Sequence, residues 1–164
     1  MKKLISVVIP LYNEEENVRE LYRQLLLIIQ KEKKYSFEII AVEHGSTDST
    51  FQKLIDLHKK DKNLKILQLS KNFGNADAGI LAGLHFAKGD ALVIMMADLQ
   101  DPPDVISKFL RKWEEDYEIV YGVIKKRADS SFSRKIMSLL FYKVLNFLTG
   151  NILQALHHIY FPCK

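Results

Sequence analysis

A doubly wound α/β domain, with a mostly parallel sheet and helices on both faces, is the fold class that this sequence predicts. Strand-like apolar runs alternate with segments of helical spacing along nearly the whole chain. Those runs lack polar alternation, as strands buried on both faces do. The connections are short and carry Gly, Asn, Asp and Ser, so each strand feeds a helix that returns over the sheet. The 164 residues suffice for one domain with a proper core, and 48% apolar against 27% charged residues excludes a disordered chain.

Residues 4–10, LISVVIP, form the first predicted strand, β-branched and apolar, and Pro10 stops its ladder. A helix follows over residues 14–33, with Val18, Leu21, Leu25, Ile28 and Ile29 at helical spacing. Asn13 can cap it, and Glu14 and Glu15 suit a helix N-terminus. Residues 37–42 read as the second strand and 48–60 as the second helix, carrying Phe51, Leu54, Ile55 and His58. A third strand is expected over 64–69 and a helix of small residues over 76–88. Residues 91–96 are apolar at every position and make the fourth strand. Residues 103–115 read as helix, 119–121 as a short fifth strand and 131–149 as a last long helix.

The formal charge of +4 is mild and suits anionic partners without selecting one. Arginine–aromatic interleaving is missing, so nucleic acid is not an expected partner. Cys163 stands alone, which excludes an internal disulfide and a cysteine zinc cluster. The apolar part of MKKLISVVIP is too brief for a secretory signal, and no apolar run reaches the about 18 residues of a membrane span. A cytoplasmic location is therefore expected.

In such sheets ligands bind beyond the carboxyl ends of the strands, where the strand order reverses. The loops at residues 11–15, 43–48, 70–75, 97–101 and 122–127 are accordingly the expected functional ones. Glu43 is a carboxylate at a strand tip, suited to ribose hydroxyls or a base edge. His44 reads as a solvated turn residue, Gly45 permits a tight turn, and Ser46 or Thr47 can cap the second helix. Ser70–Asn75 brings Lys71, Phe73 and Gly74 into one loop able to contact phosphate. In VIMMADLQDPP, Asp98 and Gln100 alternate along an extended tip and suit magnesium or manganese shared with a diphosphate. Asp101 before Pro102 and Pro103 could equally cap the next helix. No GxGxxG follows the first strand, which sets a nicotinamide dinucleotide enzyme aside.

The order IPLYNEEENV, VEHGSTDST, LSKNFGNADAGILAGL, MMADLQDPP and VYGV resembles family 2 glycosyltransferases of the GT-A, Rossmann-like fold. It is most similar to their polyprenyl-phosphate branch, the dolichol-phosphate mannose synthase and undecaprenyl-phosphate glycosyltransferase group, over roughly residues 4–150. The resemblance implies a nucleoside cradle at Pro10, Tyr12, Glu14 and Glu43, with Lys71 and Asp98 also toward the nucleotide. It implies Mg or Mn at Asp98 and Gln100. The implied reaction moves a sugar from a UDP- or GDP-sugar to a polyprenyl-phosphate lipid acceptor, with inversion and metal assistance.

Departures cluster at the implied site. The family's usual second acid after the second strand is His44 here, the first acid of its metal motif is Met96, and its NFGK is NFGN. An arginine that commonly follows YGV is Ile124, with Lys125, Lys126 and Arg127 close by. Residues 1–150 thus read as a transferase domain incomplete at its C-terminus, and 151–164 as an atypical tail in which His157 and His158 are not expected to bind metal. The apolar, basic segment 131–150 can lie on an anionic membrane surface, placing the protein peripherally on the inner face of the cell membrane. It can also pack against further C-terminal parts or a second subunit of a homo-oligomer. The alternative function is a catalytically impaired remnant that binds nucleotide weakly or acts through protein or membrane contacts.

Overall fold

The computed structural model describes residues 2–123 and 158–159. The chain divides into two units, residues 1–120 with 160–164 and residues 121–159.

In the first unit, β1 (Leu4–Leu11), β2 (Ser36–Glu43), β3 (Leu64–Gln68) and β4 (Ala91–Ile94) form one parallel sheet in the order β3-β2-β1-β4. Every residue of β1 after Leu4 and of β2 after Ser36 is buried. That explains why the apolar runs do not alternate: both faces of the central strands are covered. Register runs from Leu4↔Ser36 to Leu11↔Glu43 between β1 and β2, and Ile5↔Ala91 starts the β1–β4 pair.

Handedness distributes the helices. The right-handed crossovers β1→β2→β3 carry α1 (Val18–Lys31) and α2 (Thr50–Lys60) to one face. There Leu21, Leu25 and Leu54 meet Ile9, Leu11 and Ile39. The return from β3 to β4 runs the other way, so α3 (Asp77–Phe86) lies on the opposite face, where Ala82 and Leu84 pack on Val8, Ile40, Val42 and Leu92. α3 sits close to the sheet: a Cβ at Gly83 would come within 2.3 Å of Val8 Cγ1. α4 (Val105–Glu114) reaches the end of α1, with Arg111 on the buried Glu32 at 2.5 Å and the rings of Tyr35 and Trp113 6.0 Å apart.

Near the amino ends of the strands Glu38 gathers Ser6, its register partner on β1, together with Lys65 and the backbone N–H of Lys88. Gly89 N–H donates to Ser6 Oγ at 2.8 Å, so one buried acid ties three strands to the turn before β4.

Through α4 the elements fall where the spacing puts them; the helices, β3 and β4 are shorter than expected, whereas β2 gains a residue at each end and β1 runs on through Pro10, expected to stop it, to Leu11. α1 begins at Val18 rather than residue 14, because Asn13 turns the chain with φ +53° and Asn17 and Val18 close a turn on the Glu14 carbonyl. β4 stops at Ile94, two residues early. The caps expected at Asn13, Ser46 or Thr47, and Asp101 do not form; Asn17, Ser49 and Asp104 stand at those helix starts. The expected fifth strand at 119–121 is reduced to an isolated β-bridge at Ile119. Ile119 and Tyr121 are exposed, so no core holds them in the sheet. In the second unit β5 (Gly122–Val123) pairs antiparallel with β6 (His158–Ile159), apart from the parallel sheet. The expected helix at 131–149, the Lys125–Arg127 cluster, His157 and Cys163 lie outside the described residues. Among the described residues no helix is long and apolar enough to cross a membrane.

Candidate functional site

The strand order reverses between the adjacent β1 and β4, where α1 leaves β1 over one face and α3 reaches β4 over the other. In such sheets the crevice for a ligand lies beyond the carboxyl ends of the strands at that reversal. A cleft of about 230 Å³ occupies this place. Loops from the ends of β1, β2, β3 and β4 all contribute to its walls.

The loop after β1 brings Pro10, Leu11, Tyr12 and Glu14 to the cleft. Tyr12 is 42% exposed and offers its ring to a ligand. Glu14 is fixed by a 2.7 Å bond from the Asn17 side chain to its Oε2. Loop and fold are joined by an unusual density of polar contacts to the loop after β2. Asn13 N–H donates to Ser46 Oγ at 3.0 Å, Glu14 N–H to Thr50 Oγ1 at 2.8 Å and Glu15 N–H to Asp48 Oδ2 at 3.1 Å. In return Thr47 N–H donates to Asn13 Oδ1 at 2.9 Å. The residues expected to cap α2 are thus spent on holding the neighbouring loop. Burial would raise the Asp48 carboxyl, but hydrogen bonds from Thr50 and the Glu15 N–H outweigh it and hold it below its ordinary value.

The tip of β2 departs from expectation. Glu43 is fully buried and does not line the cleft; Oε1 accepts the Ser46 N–H and Oε2 has no partner among the described residues. His44, expected as a solvated turn residue, is 2% exposed and lines the cleft. Its backbone N–H bonds the Leu11 carbonyl at 2.9 Å, so the strand geometry continues one residue beyond the apolar run and turns the ring toward α3. Burial lowers its pKa, against the pull of Glu43, which leaves the imidazole neutral at pH 7.

Gly45 adopts φ +75°, and a Cβ there would press on the Lys71 backbone at 3.3 Å, which brings the loop after β3 against the loop after β2. From that third loop Asn72, Gly74, Asn75 and Ala76 line the cleft. Lys71 itself stays exposed outside it, its ammonium 5.3 Å from the Phe73 ring.

After β4 the cleft meets Met96, Ala97 and Asp98. Asp98 Oδ1 accepts the Gln100 N–H at 3.1 Å, around Leu99 at φ +58°, a conformation costing a branched residue about 1 kcal/mol or more. The turn leaves Asp98 Oδ2 without a hydrogen bond among the described residues. Gln100 is exposed and lies outside the cleft lining. Burial and the neighbouring charge of Asp98 raise the Asp101 carboxyl, so these two acids share a field that a cation would relieve. Among the described residues no group of three or more His, Cys, Asp or Glu could hold a metal ion. Magnesium and manganese need less than that, one or two carboxylates with phosphate oxygens and water completing the shell. Asp98 meets this minimum, so the donor set fits an ion brought by a diphosphate and not one held by protein alone.

Pro10, Tyr12, Glu14 and Asp98 therefore come together at one cleft, whereas Glu43, Lys71 and Gln100 stand outside its walls. Sequence reasoning missed His44, Asn72 and Asn75. The signal for His44 was its alternation with Val42 on one strand, read against Gly79 and Gly83 one turn apart on the helix above.

The family described as Glycosyl transferase family 2 matches residues 6–164. The chain is 39% identical over 145 residues to an uncharacterized glycosyltransferase of Synechocystis sp., covering 88% of this chain and 45% of that protein. It is 37% identical over 131 residues to an undecaprenyl-phosphate 4-deoxy-4-formamido-L-arabinose transferase of Pseudomonas fluorescens, covering 79% of this chain and 38% of that one. The chain thus spans less than half the length of these relatives. Among solved structures, a mannosyltransferase of Pyrobaculum calidifontis, in complex with GDP-mannose and Mn2+, shares the fold at 24% identity and a TM-score of 0.55, over 77% of this chain and 36% of that one. The parallel sheet is that of the GT-A glycosyltransferases.

Proposed function

The chain belongs to glycosyl transferase family 2, and from that premise we propose that it transfers a sugar from a UDP- or GDP-sugar to a polyprenyl phosphate, inverting the sugar carbon. The observation that carries this is the convergence of Tyr12, Glu14 and Asp98 on one cleft at the sheet's topological switch point. The undecaprenyl-phosphate transferase among the relatives supports the lipid acceptor. Such an acceptor is a membrane lipid, so the reaction would take place at a bilayer surface.

In this reaction a phosphate oxygen of the acceptor attacks the sugar carbon while its bond to the nucleoside diphosphate breaks, and the electron pair leaves with the diphosphate. Tyr12 would pack against the base, and Glu14, held by Asn17, would accept from a ribose hydroxyl. Glu43 would act from below, fixing the loop after β2 through the Ser46 N–H. Asp98 would hold a magnesium or manganese ion against the diphosphate, and that ion would neutralise charge developing on the leaving group.

One observation favours a second reading, that of a remnant with weakened chemistry. Met96 is 38% exposed at the cleft, two residues before Asp98, where a second carboxylate would complete the metal motif. A thioether is a poor ligand for magnesium or manganese.

Calorimetric titration with UDP and GDP, each with and without manganese, separates the two. Manganese-dependent binding that weakens about tenfold or more in Asp98→Ala is the expected result. Absence of binding by either nucleotide would refute the transferase reading and leave the remnant.

A further inference from the structure

His44 is a buried polar group at the cleft whose role the proposed reaction leaves open. Its Nε2 has no hydrogen-bond partner among the described residues. That nitrogen faces α3: a Cβ built on Gly79 would lie 1.7 Å from Nε2, 2.6 Å from Cε1 and 2.8 Å from Cδ2. Glycine carries a hydrogen along that direction, so Nε2 points at a Cα–H group. A lone pair there receives a weak C–H contact. A proton there would set hydrogen against hydrogen and leave a buried donor unmade. The imidazolium form carries the same proton and meets the same obstacle, with burial adding to it. What remains is the neutral ring protonated on Nδ1. The edge carrying Nδ1 is turned away from α3, and His44 lines the cleft.

We propose that His44 is a specificity-determining hydrogen-bond donor, held as the Nδ1–H tautomer by α3 at Gly79, that selects an acceptor oxygen of the nucleotide bound in the cleft. It rests on the nucleotide-binding reading above and adds a demand to it. A carboxylate at this point could only accept, and would ask the ligand for a donor. A neutral imidazole with its acceptor edge sealed against a helix can only donate, and asks for a carbonyl of the base or an oxygen of the diphosphate. Asn72 and Asn75 across the cleft carry both donors and acceptors, and the Glu14 and Asp98 carboxylates only accept, so among the described lining residues His44 is the side chain restricted to donating.

The test compares the full-length chain with His44→Asn, His44→Asp and His44→Ala, titrated calorimetrically with UDP, uridine and pyrophosphate in the presence of manganese. Asparagine places an amide N–H near the Nδ1 position and is expected to bind UDP within about threefold of the unsubstituted protein. Aspartate and alanine are expected to lose about tenfold or more. A loss shared by uridine assigns the acceptor to the base, and a loss confined to UDP and pyrophosphate assigns it to the diphosphate. Long-range nitrogen–proton NMR of His44 without ligand is expected to show Nδ1 protonated and Nε2 bare at pH 7. An Nε2–H tautomer, an imidazolium at that pH, or alanine and aspartate variants that bind as the unsubstituted protein does would overturn the proposal. Should the unsubstituted protein bind none of the ligands, the nucleotide reading itself fails and this one with it, an outcome told apart by that first titration.

Discussion

At the residue scale, contacts decide what residue type alone leaves open. Gly79 shows this with two opposing magnitudes. Glycine inside a helix normally gains about 1 kcal/mol on replacement by alanine. Here the added methyl would overlap the buried His44 ring, and overpacking of that kind costs about 1–3 kcal/mol. Steric overlap wins, so Gly79→Ala is expected to lower the urea midpoint. Combined with His44→Ala the loss should shrink, and a double-mutant cycle should return a coupling of about 1 kcal/mol or more. Strict additivity of the two substitutions would contradict the contact. Asn13 and Leu99 make a related point: both hold positive φ in cleft loops, asparagine at little cost and leucine under strain. Nothing in the composition of DLQDPP announces that strain.

At the element scale, the loops after β1 and β2 form a single polar assembly. Side chains of the second loop and helix start, among them Ser46, Thr47, Asp48 and Thr50, bond to the first loop. Asp48→Ala removes the acceptor for both the Glu15 and Thr50 N–H groups, a loss of about 1–2 kcal/mol by chemical denaturation. Because Tyr12 and Glu14 ride on the stapled loop, nucleotide affinity should fall as well. A variant that loses stability and keeps affinity would show the two loops to be independent. The elements themselves were legible in the sequence, since helical periodicity and unbroken apolar runs are local properties. Their ends were less so. α1 starts at Val18 because Asn13 is held by Thr47, a residue 34 positions away in sequence.

At the scale of the whole molecule, buried and paired ionisable groups make stability pH-dependent. His44 has a folded pKa below its ordinary 6.5, so its contribution is complete above that pH and is lost as the pH falls through the folded value. Glu38 is lowered despite burial, because Lys65, Ser6 and the Lys88 N–H bind its charged form. Glu20 and Glu114 are lowered to about 2 by hydrogen bonds from Arg23 and from Lys34 respectively. The contributions of these acids are present above their ordinary 4.5 and are lost below it. Asp101, raised by burial and by Asp98, opposes them in sign. The urea midpoint is therefore expected to be flat from about pH 7 to about 9, to decline below 6.5 and to fall steeply below 4.5; it declines again above about pH 10, because burial and bonds to Asp61 and Glu114 push the Tyr22 and Tyr35 hydroxyls up to about 12. His44→Asn should remove the first decline and leave the second. A midpoint constant down to pH 4 would contradict both assignments.

The sequence by itself determined the class of fold, the order of its elements and the strand-end loops that build the cleft. These follow from local periodicity, from the handedness of crossovers and from the crevice that a reversal of strand order must leave. It also carried the motif order by which the chain was placed with its family. Tertiary structure alone decided which of the polar residues in those loops face a ligand. Glu43 and His44 are neighbours of similar polarity in one loop, yet one lies beneath the site and the other in its wall. Their separation depends on Gly79, on the helix that follows the next strand, and on the Ser46 N–H that captures Glu43. Burial and hydrogen-bond partnership are properties of the assembled sheet and helices, set by residues distant in the chain, and no local pattern encodes them.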